Sequence, residues 1–137
     1  MKKLLILLPV LLLTMSHSFA QSGTNKAKDP KVSIAGATTT EVSIKSILAS
    51  PVVTLGSDQF AIVGFDVSWV VATTGKEPEY MGPYKVVGNT INGVALKQLE
   101  SDAKAGRITR MFIDEVNVNG SDGVVRKLIG AAYKVNP

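Results

Sequence analysis

The sequence predicts a mainly β protein, specifically an antiparallel β-sandwich that carries one or two short α-helices. Residues 61–71 alternate between large apolar side chains and smaller or polar ones, which is the period of a half-buried strand. Two apolar stretches, 107–118 and 123–135, flank a polar corner at 119–123 that has the composition of a hairpin loop. The clearest helical pattern is confined to 92–106. Strands that bury the side chains of only one face pack most readily as two layers, with the buried faces toward each other.

The first 20 residues have the three parts of a secretory signal peptide. A basic start, "MKK", precedes the apolar stretch "LLILLPVLLLTM", and "SHSFA" then places Ser18 and Ala20 at the −3 and −1 positions of a cleavage site. We expect cleavage after Ala20 and export to the periplasm or the cell exterior. An uncleaved anchor is the alternative, although the stretch is short for a bilayer span of ~20 residues.

The composition bounds the classes of function. Removal of 20 of the 137 residues leaves 117, which is enough for one domain with its own core. Loss of Lys2 and Lys3 leaves 13 basic and 11 acidic residues, so the mature charge is only +2. That balance is not typical of a nucleic-acid-binding protein, and we expect no nucleic-acid partner. No later stretch is apolar enough to predict a membrane span after signal cleavage.

The mature sequence lacks the residues of most catalytic and metal sites. The only histidine, His17, lies in the signal peptide, and there is no cysteine. This excludes the usual zinc sites, Ser-His and Cys-His nucleophile pairs and histidine pH switches. Neither glycine-rich phosphate-binding motif occurs. An EF-hand alignment fails because Asp122 stands where glycine is required and Leu128 where glutamate is required. We therefore expect no cofactor and no metal.

The amino-terminal half of the mature chain begins with a polar segment, 21–31, which predicts a flexible leader before a domain at 32–137. Residues 32–36 predict a short strand. Ser43 can then cap a short helix whose apolar residues share one face. A strand through 39–44 is the competing interpretation, because β-branched residues favour extended structure.

The central segment contains the strongest strand, 61–71. Trp69 lies on its apolar face, which predicts a core anchor, whereas Asp66 lies on the other face and should be solvated. Residues 73–83 predict a loop, and a short strand follows near 84–87.

The last helix and the closing hairpin complete the prediction. Asn92 can cap the helix, and Val94, Ala95 and Leu99 are spaced to share its buried face. Gly123 stands where the hairpin loop requires a positive φ.

Four segments follow one another in an order that is typical of a known domain. A strand, "VSIAG", is followed by "EVSIKSILAS", and then by "PVVTLGSDQFAIVGFDVSW" with its Asp-, Phe- and Val-rich strand. A helix, a Gly-basic step and a strand follow in "NGVALKQLESDAKAGRITRMFIDEVNV", and "GSDGVVRKLIGAAYKV" contains an Asp-Gly-x-x-Arg hairpin. This order, over about 33–135, resembles the C-terminal domain of GldM, the gliding-motility and type IX secretion protein of Bacteroidota. No single motif is specific, so the resemblance rests on the order.

The resemblance implies an exported β domain that contacts protein partners and has no catalytic residues to carry over. GldM also carries a transmembrane helix and a long periplasmic stalk, and this sequence shows neither. The implied protein is a single-domain, secreted relative that acts as an accessory in the cell envelope, in type IX secretion or in gliding motility. Its partner and its oligomeric state stay open.

An enzymatic interpretation would depend on carboxylates, for example as a glycosidase-like pair. The candidates are Asp66, Glu77, Glu79, Asp114 and Glu115. The neighbours Asp114 and Glu115 should point to opposite faces of one strand, and no other spacing brings two candidates together. We therefore expect a non-enzymatic interaction module, with a carboxylate-based hydrolase of unknown substrate as the alternative.

Three residues are the candidate protein contacts. Tyr80 and Met81 lie in the predicted loop 73–83, and Arg126 lies beside the corner at 119–123. Tyrosine, methionine and arginine are enriched in the centres of protein interfaces. The alternative for Tyr80 and Met81 is simple packing over the end of the sandwich.

Overall fold

The computed structural model describes residues 29–137. The predictions for the signal peptide, for cleavage after Ala20 and for most of the leader lie outside the described residues. The elements within this range, in chain order, are β1 (Val32–Ile34), β2 (Glu41–Ser43), α1 (Ile44–Ala49), β3 (Val53–Leu55), β4 (Phe60–Ala72), β5 (Glu79–Val87), α2 (Gly93–Ala105), β6 (Arg107–Gly120), β7 (Val125–Leu128) and β8 (Ala131–Asn136). The predicted fold class, mainly β with two short helices, is confirmed.

Most of the strands belong to one large sheet. Its order is β2-β8-β6-β4-β5, and β7 pairs with the remaining length of β6. All pairings are antiparallel except that of β2 with β8, which is parallel. β1 and β3 form a separate antiparallel pair. Side chains from this pair and from both helices share one buried cluster with the large sheet, which produces a sandwich-like arrangement. They are Val32, Ile34, Ile47, Val53, Ala95 and Leu99.

Trp69 anchors this core, as the sequence predicts. Its side chain is fully buried, and its ring stacks on Tyr84 with centroids 5.1 Å apart. The indole N–H donates a 2.8 Å hydrogen bond to Oδ2 of Asp102 on α2. A buried indole needs such a partner, because an unpaired N–H away from water costs free energy. The contact therefore joins the large sheet to the helix that covers it.

The alternation along β4 is confirmed only in part. Phe65, Val67 and Trp69 are buried, but Ala61 and Val63 of the same odd-numbered series are exposed. The pairing of β4 with β6 shifts register on both sides of Gly64. A bulge of this kind changes which side chains face the core, so the simple period of two fails before Phe65.

The helix predictions are confirmed with two exceptions. Asn92 occupies the N-cap position of α2, but its side chain makes no capping hydrogen bond. Oγ of Ser43 accepts a 3.0 Å hydrogen bond from the backbone N–H of Ser46 at the start of α1. The competing strand is also present in shortened form, as β2, directly before the cap. In α2, Ala95 and Leu99 are buried, whereas Val94 is exposed, so its assignment to the buried face was wrong.

Two boundaries in the second half of the chain also differ from prediction. Much of the predicted loop at 73–83 belongs to β5, which begins at Glu79 and continues through Pro83. β5 tolerates proline because it is an edge strand, paired only with β4, where one N–H can be missing. The predicted strand at 123–135 is divided into β7 and β8 by a break at Ile129 and Gly130.

Candidate functional site

The large sheet has an inner face toward the core and an opposite face, which we call the outer face. The strand register places the side chains of the outer face next to one another, because paired residues project to the same side of a sheet. They are Asp66, Ser68 and Val70 of β4, Tyr80 of β5, Arg110, Phe112 and Asp114 of β6, and Ala132 of β8. All are exposed or half-buried except Ser68.

Tyr80 is the most prominent aromatic group on the outer face. Its side chain is 57% exposed, and its hydroxyl donates a 2.7 Å hydrogen bond to Oγ of Ser68, which is only 1% exposed. Its ring centroid lies 6.4 Å from that of Phe112 at an interplanar angle of 41°. These contacts hold the ring in one orientation while most of its surface is open to solvent.

Met81 is adjacent to Tyr80 in sequence but projects to the inner face. It pairs with Trp69 across β4 and packs against the buried core. Successive residues of a strand point to opposite sides, so the change of this segment from predicted loop to strand separates Tyr80 from Met81. The structure does not bring these two candidates together.

Arg126 lies at the closing corner and is used in contacts within the chain. Its Nη2 is 2.9 Å from Oδ2 of Asp122, and its Cζ lies 5.4 Å from the ring centroid of Phe60. Through the pairing of β7, β6 and β4, Arg126 aligns with Val118 and then Ile62.

Tyr80 and Arg126 lie beside opposite ends of β4. Tyr80 aligns with Val70, whereas Arg126 aligns with Ile62. A strand rises about 3.3 Å per residue, so these positions of β4 are separated by roughly 26 Å. Tyr80 and Arg126 do not form one compact site.

The corner at 119–123 is the turn of a β-hairpin. Gly123 has φ +80°, as predicted, and its N–H donates to the carbonyl of Gly120 at 2.9 Å. Oδ1 of Asp122 accepts a 3.1 Å hydrogen bond from the N–H of Val124. This bond, followed by the charge of Arg126, holds the pKa of Asp122 below its ordinary value. The carboxylate of Asp122 is therefore satisfied within the turn, whereas Nη1 of Arg126 is buried without a hydrogen-bond partner among residues 29–137.

Three of the candidate carboxylates occupy neighbouring positions of β4 and β6. Asp66 lies directly opposite Asp114 on the β4–β6 pair and opposite Lys85 on β5. Glu115 has φ +51° and borders the same shallow depression as Asp66, so the prediction that Asp114 and Glu115 face opposite sides was wrong. The cause is the bulge at Glu115, which interrupts the alternation of β6.

Positive charges accompany this acidic group. Lys127 forms a hydrogen bond and an ion pair with Glu115. That bond and charge, with a smaller effect from Lys85, lower the pKa of Glu115. The depression above Gly64 holds only about 200 Å³. Within residues 29–137, no group of three or more acidic, His or Cys side chains could hold a metal ion. The remaining candidates, Glu77 and Glu79, are exposed near the turn between β4 and β5.

Sequence reasoning missed a larger concavity, which we call the edge groove. It has a volume of about 360 Å³ and lies between the start of the domain and the beginning of β8. Its lining comes from 29–33 and 129–133, with Ala37, Thr39 and Thr40. These segments are distant in sequence, so no local pattern indicates the groove. The nearest local signal is Ile129, an exposed apolar residue next to a glycine, which indicates an irregular strand at this place.

Comparison with known proteins adds no family assignment. No protein-family model matches the chain, and no curated protein matches it in sequence. Within 29–137, no helix is long and apolar enough to cross a bilayer.

Proposed function

We propose that this protein is an exported, non-enzymatic protein-interaction module of a bacterial cell envelope. The observation that carries the proposal is the anchored aromatic group of the outer face. Tyr80 is 57% exposed, yet its hydroxyl and ring are fixed by Ser68 and Phe112. A tyrosine that is already ordered loses little side-chain entropy when a partner covers it, which favours binding.

The surroundings of Tyr80 support a protein contact. Protein interfaces commonly have aromatic side chains near the centre and charged groups at the rim. Here Val70 lies directly beside Tyr80 and Phe112 contacts its ring from the next row of the sheet, while Arg110 lies on the other side of Val70 and Asp66 lies farther along β4. This arrangement suits a protein surface with an apolar centre and polar border.

The location and the family of the protein are part of the same proposal. A signal peptide at 1–20 is the support for export. The ordered likeness of 33–135 to the GldM C-terminal domain supports a role as a single-domain accessory of type IX secretion or gliding motility. The partner is then a protein of the periplasm or of the outer membrane.

The test is chemical cross-linking in cells that produce the protein, followed by mass spectrometry of the captured proteins. We expect Tyr80→Ala to abolish one or a few specific cross-links, and Tyr80→Phe to weaken them because the bond to Ser68 is lost. Val94→Ala is the matched control, since Val94 is exposed on α2, away from the outer face. Capture of only nonspecific envelope proteins, with no difference among these variants, contradicts the proposal.

A carboxylate-based hydrolase is the second candidate, and one observation favours it. Directly paired residues such as Asp66 and Asp114 have Cβ atoms about 4.5–5.5 Å apart, which permits carboxyl groups at the spacing of a retaining glycosidase. The open outer face argues against it, because a catalytic pair needs a site that holds substrate and excludes water. Activity in a broad hydrolase screen that disappears in Asp66→Asn and persists in Glu77→Gln would establish it.

A further inference from the structure

β7 and β8 form one interrupted strand along a single side of β6. Both are antiparallel to β6, β7 against 116–119 and β8 against 110–113. On the side of β7 and β8 that faces away from β6, β2 pairs only with the last residues of β8, Lys134–Asn136. Among residues 29–137, no strand pairs with the far side of 125–133, which we call the open edge.

The backbone of the open edge has hydrogen-bonding groups directed at the edge groove. The N–H of Lys134 donates to the carbonyl of Thr40 at 2.8 Å, on the β2 side. Backbone groups of a strand alternate between its two sides, so the N–H and carbonyl of Ala132 point to that same side. Ala132 lies in the lining of the groove, beyond the last residue that β2 pairs.

The part of this edge beside the groove is not protected from pairing by its side chains. Ile129 is 89% exposed and borders the groove, with Val125 also exposed on β7. Natural proteins usually block a free edge with proline, charge or a bulge. β5, at the other end of the sheet, shows such protection, because Pro83 has no N–H in the middle of its free edge. The open edge contains no proline, and its charged residues, Arg126 and Lys127, lie on β7, so residues 131–133 beside the groove carry neither protection.

We propose that the open edge binds an extended segment of a protein partner. The segment adds a strand beside 125–133, pairs with the N–H and carbonyl of Ala132, and places an apolar side chain in the edge groove. An extended backbone satisfies both groups in one ladder, which a helix cannot do because its own backbone groups are already bonded. This inference rests on the proposed function and names a second contact surface for it.

A second copy of this chain fits the edge less well. Residues opposite one another project to the same side of a sheet, so a two-fold symmetric antiparallel pairing centred on the middle of β7 sets either Arg126 opposite Arg126 or Lys127 opposite Lys127. Like charges directly opposite one another destabilise a strand pair. An extended segment of another protein can avoid this repulsion.

The test uses random peptides of about ten residues, which in extended form span roughly 33 Å, selected by display against the exported protein. We expect selected peptides to shift the amide resonance of Ala132 and to protect it from hydrogen exchange. Ala132→Pro removes that N–H without touching the ladder to β6, and should weaken binding about tenfold or more. Ile129→Asp should do the same by changing the groove wall. Val87→Asp, an equally exposed valine at the free end of β5, is the matched control and should bind normally.

Three results would overturn the inference. The first is failure to select peptides, and the second is binding that is unchanged in both Ala132→Pro and Ile129→Asp. The third is a protein that sediments as a dimer and becomes monomeric in Ile129→Asp, which would assign the edge to a second copy. If peptides fail here while Tyr80→Ala still abolishes specific cross-links in cells, the proposed function stands and only the edge inference falls.

Discussion

Asp102→Ala should destabilise the domain through one hydrogen bond between its layers. Asp102 lies in the last turn of α2 and accepts the indole N–H of Trp69 at 2.8 Å, while its other oxygen accepts from Gln98 at 2.8 Å. The indole is fully buried, whereas Asp102 is half-buried at the edge of the helix layer. The substitution removes the acceptor that the structure gives to this buried donor.

The magnitude follows from opposing effects. A hydrogen bond to a charged group contributes about 1.5–3 kcal/mol. Alanine in place of aspartate returns roughly 0.5 kcal/mol of helix propensity and removes a negative charge from the carboxyl end of a helix, worth ~0.3–1 kcal/mol. The expected net loss in the free energy of unfolding is therefore about 1 kcal/mol. For a domain of this size that lowers Tm by roughly 4–8 °C.

Thermal unfolding followed by circular dichroism measures this effect, and fluorescence of the single tryptophan reports the indole environment. Glu100→Ala is the matched control, because it removes a negative charge and gains some helix propensity at an exposed site of the same helix. Asp102→Asn keeps an acceptor and should lie between the two. Equal Tm values for Asp102→Ala and Glu100→Ala, with unchanged emission, would refute the role assigned to this bond.

The remaining predictions concern the turns and the outer face. A Cβ at Gly130 would overlap a backbone carbonyl oxygen of β6, so Gly130→Ala should lower the free energy of unfolding by about 3 kcal/mol or more in a denaturant titration. Gly123→Ala should cost only about 1 kcal/mol, because its position is open but its φ is positive. Gly56→Ala, open and without positive φ, is the control for both and should leave the unfolding midpoint unchanged. NMR titration should place the pKa of Glu115 below its ordinary value, and Lys127→Met should raise that pKa. The ion pair of Glu115 with Lys127 therefore stabilises the fold above the unfolded-state pKa of Glu115, and this stabilisation disappears as pH falls through the folded-state pKa.

The features predicted correctly from sequence are those with local causes. Ser43 caps α1 because its hydroxyl reaches the N–H three residues later, and Gly123 occupies a turn position that disfavours a side chain. Trp69 is buried because the alternation around it is strong enough to fix the inward face of β4. Each of these depends on residues within a few positions of one another.

The features that prediction missed depend on pairing partners. Pro83 argues against a strand in isolation, but β5 accepts it because only one side of β5 is paired. Ala61 and Val63 lose their expected burial because the bulges belong to the pairing with β6. Position 130, in the break between β7 and β8, requires glycine because the carbonyl of Ile113 approaches too closely for a side chain there. Such constraints arise between segments distant in sequence.

The positions of the candidate contacts also depend on strand pairing. Tyrosine at position 80 could be named as a contact from composition, but its anchoring by Ser68 and Phe112 requires the register of three strands. Met81 and Arg126 were grouped with it only because their residue types suit interfaces. The structure assigns them to the inner face and to the closing turn, respectively.

The most direct test of the outer-face contact is site-specific photo-cross-linking in the producing cell. A photoreactive amino acid is placed at position 80 in one variant and at position 94, on the helix layer, in another. We predict that illumination captures a discrete envelope protein from position 80 and none from position 94. The same yield and the same proteins from both positions, or no product from either, would contradict the proposal that Tyr80 marks the surface through which this protein binds its partner.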